Sequence, residues 1–178
     1  KPLQFSLGAA GPALQSWPLA YWPDGSLKWT AHAVAGGPAA DGWDLAAGAP
    51  AAPSDRVTVK KYGARIVVNA GALEWIVSTT GEYLVDSASH GGRVTMQGLR
   101  LVALRQDGPA PEGAGSVRRD AFTSKVTKVV VEQDGPVRAV LKLDGVHTGN
   151  GRDWLPFSVR LYFYAGSGSV RIVHSFIY

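Results

Sequence analysis

The sequence contains no cysteine and only one methionine among its 178 residues. The absence of cysteine excludes disulfide bonds, a thiol nucleophile and a thiolate metal site. It leaves the cellular compartment open, because a chain of this length buries a core large enough to fold without disulfides. No apolar run approaches the roughly 20 residues that a membrane-spanning helix requires, so we predict no membrane partner.

Charged residues are few, at 18% of the chain, and they do not cluster. The 18 Lys and Arg exceed the 14 Asp and Glu, which gives a formal net charge of +4. Proteins that bind nucleic acids usually show a basic patch or stripe, so we predict no nucleic-acid partner. A mild positive charge attracts an acidic polymer at long range, and it is also explained by solubility alone.

Glycine and proline are abundant, with 22 and 11 residues, and they separate short runs rich in β-branched residues. Such runs, ended by Gly, Asn or Asp, predict strands joined by turns. The predicted strands are Arg56–Tyr62, Ala64–Ala70, Leu73–Thr79, Tyr83–Asp86, Arg93–Met96, Leu99–Gln106, Val126–Gln133, Val137–Val146, Leu155–Tyr164 and Val170–Tyr178. Since strands joined by tight turns are antiparallel, the sequence predicts an all-β fold built as an antiparallel barrel or curved sheet.

A further hairpin is predicted near the start of the chain, where Pro23-Asp24-Gly25 is a strong turn signal between two apolar runs. Side chains alternate along a strand, so every second residue from Leu27 through Trp29 to Ala33 points to the same side. We predict that this side belongs to the core.

Two segments carry a resemblance to a known family: Gln15–Val34, QSWPLAYWPDGSLKWTAHAV, and Trp154–Tyr178, WLPFSVRLYFYAGSGSVRIVHSFIY. Between them, Val131–His147, VEQDGPVRAVLKLDGVH, follows in the corresponding order. All three resemble the exo-rhamnogalacturonan lyase family of bacterial polysaccharide lyases. The resemblance implies a RIFT-related barrel at the N-terminus of a larger protein, followed by a helical-toroid catalytic domain and a β-sandwich. Residues 1–178 are accordingly interpreted as this N-terminal all-β domain, truncated at both ends, with the catalytic domain after residue 178.

The resemblance implies a lyase that cleaves a uronic-acid polymer such as rhamnogalacturonan by β-elimination. This reaction requires a cation that neutralises the carboxylate, a base and an acid, and the sequence identifies no catalytic residue for these roles. The implied partners are an acidic polysaccharide and the following catalytic domain. We expect no cofactor and no metal in this chain, and calcium is a candidate cofactor of the complete enzyme. An extracellular location is expected, since polymer-degrading enzymes usually meet their substrate outside the cytoplasm.

Four residues near the end of the chain are candidates for contact with a sugar. His147, Arg152 and Trp154 surround the loop Gly149-Asn150-Gly151, where an aromatic ring and two polar side chains could bind a saccharide. A contact at the rim or between domains is the alternative for these three. His174 shares its strand face with apolar residues, so it is either a core histidine or the polar end of a site at the domain junction.

The predicted strand Leu155–Tyr164 has one apolar side and one side that carries Arg160, Tyr162 and Tyr164. The second side is unusually aromatic for a surface in open solvent. We predict that these three residues, together with Tyr178, contact the catalytic domain. Packing inside the barrel is the alternative.

Two other functions fit the composition. The six Trp and six Tyr could stack on sugar rings in an independent carbohydrate-binding module. A structural scaffold or interdomain element explains the same aromatic residues as core. The sequence leaves these functions open beside the accessory domain of a lyase.

Overall fold

The computed structural model describes residues 4–8, 11–36, 42–109 and 117–178, and Lys1, where we expected a truncated start, lies outside them. Within these ranges every regular element is a strand, and the paired strands are antiparallel. The described residues contain no helix that could cross a bilayer. The predicted all-β, antiparallel fold is confirmed.

The first part of the chain forms two small strand pairs. β1 (Phe5–Ser6) pairs with β4 (Ala46–Ala47), and β2 (Ala13–Tyr21) pairs with β3 (Leu27–Ala35). β2 and β3 form the predicted hairpin.

The hairpin turn lies at Pro23-Asp24-Gly25, as predicted. Trp22 accepts a hydrogen bond from the Gly25 amide at 2.9 Å, and Gly25 has a φ of 82°, which glycine adopts without strain. The carboxylate of Asp24 accepts hydrogen bonds from the hydroxyl and the amide of Ser26, at 2.6 and 2.9 Å. These bonds favour the ionised carboxylate and lower the pKa of Asp24.

The outer half of the hairpin carries large apolar side chains that are not buried. Trp29 is 62% exposed and Leu27 is 40% exposed, so the prediction that this side of β3 belongs to the core is wrong. Alternation along a strand determines which residues share a side, but it does not determine whether another element covers that side.

Ten further strands form two five-stranded meanders in which each strand pairs with the next along the chain. The first sheet consists of β5 (Val57–Tyr62), β6 (Arg65–Ala70), β7 (Leu73–Ser78), β8 (Val85–His90) and β9 (Arg93–Leu99). The second sheet consists of β10 (Val102–Gln106), β11 (Arg119–Gln133), β12 (Arg138–Gly149), β13 (Arg152–Tyr164) and β14 (Val170–Phe176). The fold includes a curled, half-barrel sheet, so the predicted curved sheet is confirmed.

The two sheets pack face to face around one apolar core. The core includes Ile66, Val68, Trp75 and Val77 from the first sheet and Leu141, Val159, Leu161 and Phe163 from the second. The rings of Trp75 and Phe163 meet edge-on across the interface, with centroids 5.7 Å apart. Each fully buried large apolar side chain contributes about 1.5–3 kcal/mol, so this shared core is the main source of stability.

Polar contacts join the edges of the two sheets. Gly81 and Val126 exchange two backbone hydrogen bonds, at 3.1 and 2.7 Å. The buried hydroxyl of Ser124 donates to the carbonyl of Glu82 at 2.7 Å and accepts from the amide of Leu101 at 3.0 Å. The chain therefore passes from the first sheet to the second without leaving these buried polar groups unpaired.

The side chain of Gln15 attaches the hairpin to the second sheet. Its Nε2 donates to the carbonyl of Arg138 at 2.9 Å, and its Oε1 accepts from the amides of Val137 and Arg138 at 3.1 and 2.7 Å. The guanidinium of Arg138 lies 4.2 Å from the centroid of the Trp17 ring on the same hairpin strand. These contacts fix the base of the hairpin, while its tip remains exposed.

Candidate functional site

His147 lies inside the fold, at 3% exposure, near the end of β12. Its Nδ1 is 2.8 Å from the carbonyl oxygen of Leu155, so this nitrogen carries the proton and donates it to the carbonyl. Its ring also packs edge-on against Phe157, with centroids 5.2 Å apart. The structure therefore places His147 beneath the surface, where its ring is not accessible to a ligand.

His174 lies on β14, which forms an edge of the second sheet, and it is exposed. It pairs with the buried Val159, so its side chain points to the inner side of the sheet but extends beyond the part that the first sheet covers. The interpretation of His174 as a core histidine is therefore wrong. Neighbouring protein groups partly desolvate the ring of His174, and this is the main reason why its pKa is lowered. Electrostatic repulsion from His147, whose ring centroid is 6.3 Å away, lowers the pKa further.

Arg152 and Trp154 lie side by side at the start of β13, above the fully buried ring of Phe122. The Trp154 ring is 5.0 Å from the Phe122 ring between centroids, and the Arg152 guanidinium is 5.3 Å from the same ring. Gly149, the partner of Arg152 on β12, permits this packing because a Cβ there would lie 3.0 Å from the Phe122 ring. The structure thus brings together two of the predicted residues.

A groove of ≈ 570 Å³ opens beside these two residues. Its walls are formed by Leu104, Arg105 and Gln106 of β10 and by Arg152, Trp154 and Tyr178. The amide of Gln106 is held in place, because it donates to the carbonyl of Gly108 at 2.8 Å and accepts from Arg119 at 3.1 Å. Tyr178 is 99% exposed and forms only the rim.

Arg105 is the charged lining residue that the sequence did not indicate. It belongs to β10, whose pairing with β11 places it opposite Asp120 and near the buried Phe122. Among the described residues, neither Arg105 nor Arg152 has a carboxylate oxygen within 4.0 Å. Asp107 and Asp120 nevertheless line a depression together with Arg105, so Arg152 is the less compensated of the two cations. No signal in the local sequence of β10 indicates Arg105, because its place in the groove depends on the pairing of distant strands.

The groove has the chemistry to bind an acidic saccharide. Guanidinium groups bind carboxylates through two parallel hydrogen bonds, and an indole ring offers a flat apolar surface to a sugar ring. Arg105, Arg152 and Trp154 supply these groups at a single opening. Tyr178 is the lining residue whose hydroxyl could act as a base, but it is almost fully exposed. Among the described residues we find no hydrogen bond that would orient it for proton transfer.

Arg160, Tyr162 and Tyr164 lie on the outer side of the second sheet and are partly buried, so packing inside a barrel is excluded for them. Arg160 donates to both carboxylate oxygens of Glu132, at 2.7 and 2.9 Å, and this hydrogen bonding raises the pKa of Arg160. Tyr162 lies between two guanidinium groups, those of Arg138 and Arg171. The predicted contact of this side with a catalytic domain stays a prediction.

The described ranges contain no group of three or more His, Asp or Glu side chains arranged to hold a metal ion. His32, a histidine in the hairpin, has both ring nitrogens engaged, with the Ser16 hydroxyl at 2.8 Å and the Thr30 hydroxyl at 3.0 Å. Its ring also meets Phe5 edge-on, so His32 packs as a structural residue.

Comparisons with known families divide the chain into two matched segments. Residues 4–59 match a PcRGLX-like N-terminal RIFT barrel domain, and residues 57–178 match a PcRGLX-like protein central beta sandwich domain. The first segment contains the hairpin, and the second contains both five-stranded sheets. The predicted RIFT barrel is thus confirmed for the first segment, and the interpretation of residues 1–178 as one domain stays a prediction.

The chain is also similar to the uncharacterized protein YetA of Bacillus subtilis (strain 168), with 35% identity over 165 residues. That similarity covers 91% of this chain and 19% of the relative, so the chain spans about a fifth of the relative's length. The family that the sequence resembled and the family that the comparisons match are the same. The chain belongs to the PcRGLX-like, rhamnogalacturonan lyase-like family.

Proposed function

We propose that this chain is an accessory β-region of a polysaccharide lyase and that it holds an acidic polysaccharide of the rhamnogalacturonan type. The polymer lies in the groove between β10 and β13, while a following catalytic domain cleaves it by β-elimination. The observation that supports this proposal is the pair of guanidinium groups of Arg105 and Arg152 beside the Trp154 ring, in one opening.

The groove is suited to a charged ligand because one of its cations, Arg152, is unpaired among the described residues and partly fixed. Arg152 is held above Phe122, so less side-chain freedom is lost when a carboxylate binds. A hydrogen bond to a charged group contributes about 1.5–3 kcal/mol, and two such contacts with one stacked ring give dissociation constants in roughly the millimolar to micromolar range. Affinity of this order suits a region that guides a polymer past a catalytic site.

The accessory role follows from what elimination requires. A lyase must remove the proton beside the carboxylate, and this step requires a base held in place by neighbouring groups. The groove offers cations that would neutralise a carboxylate and a ring that would orient the sugar. We therefore assign binding to this region and proton transfer to another part of the protein.

Calorimetric titration of this chain with rhamnogalacturonan oligosaccharides tests the proposal. We expect Arg152→Ala and Trp154→Ala to weaken binding at least about tenfold, since each removes a contact of more than about 1.4 kcal/mol. Arg93→Ala and Trp22→Ala are the matched controls, because both side chains are exposed on other elements, and they should leave binding unchanged. Equal affinity of all four variants would contradict the groove as the binding site.

An assay for unsaturated uronic products separates the accessory role from the alternatives. We expect the parent protein, and not this chain alone, to release these products. Strong cleavage by this chain alone would contradict the accessory role. Binding by this chain without any effect of Arg152→Ala on turnover of the parent protein would instead indicate an independent carbohydrate-binding module.

We also propose that the parent protein acts outside the cytoplasm and that calcium supports its catalytic domain. A polymer of this kind is too large to reach a cytoplasmic enzyme intact. Fractionation of producing cells tests the location. Removal of divalent cations with a chelator tests the calcium requirement, with loss of cleavage and unchanged binding by this chain as the expected result.

A further inference from the structure

We propose that the outer side of the second sheet carries a second anion-binding site, formed by Arg138, Tyr162 and Arg171, that takes a carboxylated saccharide. Two guanidinium groups beside one tyrosine ring support an anion site at this place. Its assignment to a saccharide rests on the proposed function.

Tyr162 is the centre of this outer site. Its ring centroid is 5.6 Å from the guanidinium carbon of Arg138 and 5.5 Å from that of Arg171. Arg171 lies directly opposite Tyr162 on β14, while Arg138 comes from β12 on the other side of β13. Neighbouring strands are about 4.8 Å apart, so the two cations come from backbone positions about 10 Å apart. One linear oligomer can span that distance.

Arg138 is held in a fixed orientation before any ligand binds. Its Nε and Nη2 both donate to the Oε1 of Gln133, at 2.8 and 2.6 Å, and its guanidinium stacks on the ring of Trp17 at 4.2 Å. Gln133 is neutral, so these bonds leave the positive charge uncompensated. A guanidinium has five N–H donors, and the remaining ones are available to a carboxylate.

Two neighbouring cations on the same side of the sheet are already paired, while the exposed Lys128 is in no ion pair among the described residues. Arg160 binds Glu132 with two hydrogen bonds, and Lys142 lies 3.1 Å from the carboxylate of Asp144. Within the described part of the chain, Arg138 and Arg171 have no carboxylate oxygen within 4.0 Å. Two guanidinium groups without a carboxylate partner among the residues described therefore lie on the single ring of Tyr162.

Attachment of the hairpin explains Arg138 but not Arg171. Arg138 supports the hairpin through Trp17 and through the backbone groups that bind Gln15. Arg171 is exposed on the edge strand β14, and its guanidinium contacts the ring of Tyr162. The most direct use of a second, exposed guanidinium over the same ring is recognition of a second negative group.

The charge pattern favours a carboxylated saccharide over a nucleic acid. Nucleic-acid sites present a continuous basic stripe with free aromatic faces for bases. Here two separate cations flank one tyrosine, and two further cations of this side, Lys142 and Arg160, are neutralised by ion pairs. Two separate cations match a polymer whose carboxylates are spaced along the chain by neutral units.

Arg171→Gln is the decisive variant, because Arg171 is exposed on an edge strand and its replacement removes the contact with Tyr162 but leaves the buried core intact. We expect it to weaken binding of a carboxylated pectic oligosaccharide to this chain about five- to tenfold, as expected for loss of one charge-assisted contact. Arg171→Lys should retain most of the affinity, since it keeps the charge. Arg93→Gln, an exposed arginine at the start of β9, is the matched control and should bind as the unchanged chain does. Thermal unfolding verifies that each variant is folded.

The comparison with Arg152→Ala separates this site from the groove. Loss of binding in Arg152→Ala with none in Arg171→Gln would support the groove and overturn the outer site, and the opposite result would do the reverse. A fully methyl-esterified oligosaccharide should bind weakly and should not distinguish Arg171→Gln from the unchanged chain. A DNA duplex that binds as tightly as the oligosaccharide and depends equally on Arg171 would overturn the assignment to a saccharide.

Discussion

The Nδ1 of His147 and the carbonyl oxygen of Leu155 are 2.8 Å apart, and this hydrogen bond lies at the irregularity where the register of β12 and β13 shifts. Leu155 has a φ of 42°, a conformation that costs a residue other than glycine about 1–2 kcal/mol. The imidazole N–H compensates by binding the carbonyl of the strained residue. Since Leu155 follows Trp154 directly, the buried histidine helps to set the direction of a ring in the groove.

We predict that His147→Ala lowers the free energy of unfolding by about 2–4 kcal/mol, because it leaves a cavity and an unpaired buried carbonyl. Urea denaturation measures this change. His90→Ala, at the exposed end of β8, is the matched control and should change stability by less than about 0.5 kcal/mol. Similar midpoints for the two variants would show that the hydrogen bond to Leu155 contributes little.

Gly145 of β12 lies where the strands leave no space for a side chain. A Cβ there would be 2.3 Å from the carbonyl oxygen of Lys125 and 2.6 Å from the Phe157 ring. We predict that Gly145→Ala destabilises the protein by about 1–3 kcal/mol, as overpacking does. Gly168→Ala is the control, because a Cβ at that position meets no atom within 4 Å. Thermal denaturation should show a lower Tm for the first variant alone.

Replacement by alanine should lower the free energy of unfolding much more at Trp75 than at Trp29. Trp75 is 8% exposed and packs on Phe163, whereas Trp29 is 62% exposed at the hairpin tip. We predict a loss of about 3–5 kcal/mol for Trp75→Ala and less than about 0.5 kcal/mol for Trp29→Ala, by chemical denaturation. A large loss for Trp29→Ala would mean that the tip is covered.

We predict that the free energy of unfolding decreases as the pH is lowered, because His174 is harder to protonate in the folded chain than in the unfolded chain. Its pKa in the folded chain lies below the ordinary value of 6.5, because partial desolvation by neighbouring groups and the nearby His147 disfavour the charged ring. The unfolded chain therefore takes up the proton first as pH falls. The stabilisation is present in full above pH 6.5 and is lost as pH falls through the folded pKa.

A comparison of variants isolates this effect from other groups that titrate. We predict that the Tm of the unchanged chain falls more than that of His174→Gln when the pH is lowered from about 8 to about 5. His90→Gln should behave as the unchanged chain does. An identical pH profile for the unchanged chain and His174→Gln would contradict the prediction.

The strand pattern of the second sheet could be predicted well because it is local. Alternation along β13 correctly separated the apolar side from the side with Arg160, Tyr162 and Tyr164, since neighbouring side chains must point in opposite directions. The strand positions were also correct within a few residues for most of the chain. At β11 the prediction was shorter than the observed Arg119–Gln133, because the charged first half of that strand has weak β-propensity.

The features that could not be predicted depend on contacts between distant segments. Arg105 joins Arg152 and Trp154 only because β10 and β13 approach the same buried ring, and nothing in the local sequence of β10 indicates this. The attachment of Gln15 to Arg138 is equally remote in sequence. Exposure of Trp29 was also missed, because burial depends on what packs against a strand as well as on its composition.

The bond network of Gln15 makes the family boundary near residues 57–59 a poor place to cut the gene. A fragment started there would begin inside β5 and would leave the amides of Val137 and Arg138 without their acceptor. Expression of either matched segment by itself should therefore give a less soluble product than expression of the whole chain. Exchange of the first segment with that of a relative would require a donor with a glutamine at the position that binds these two amides.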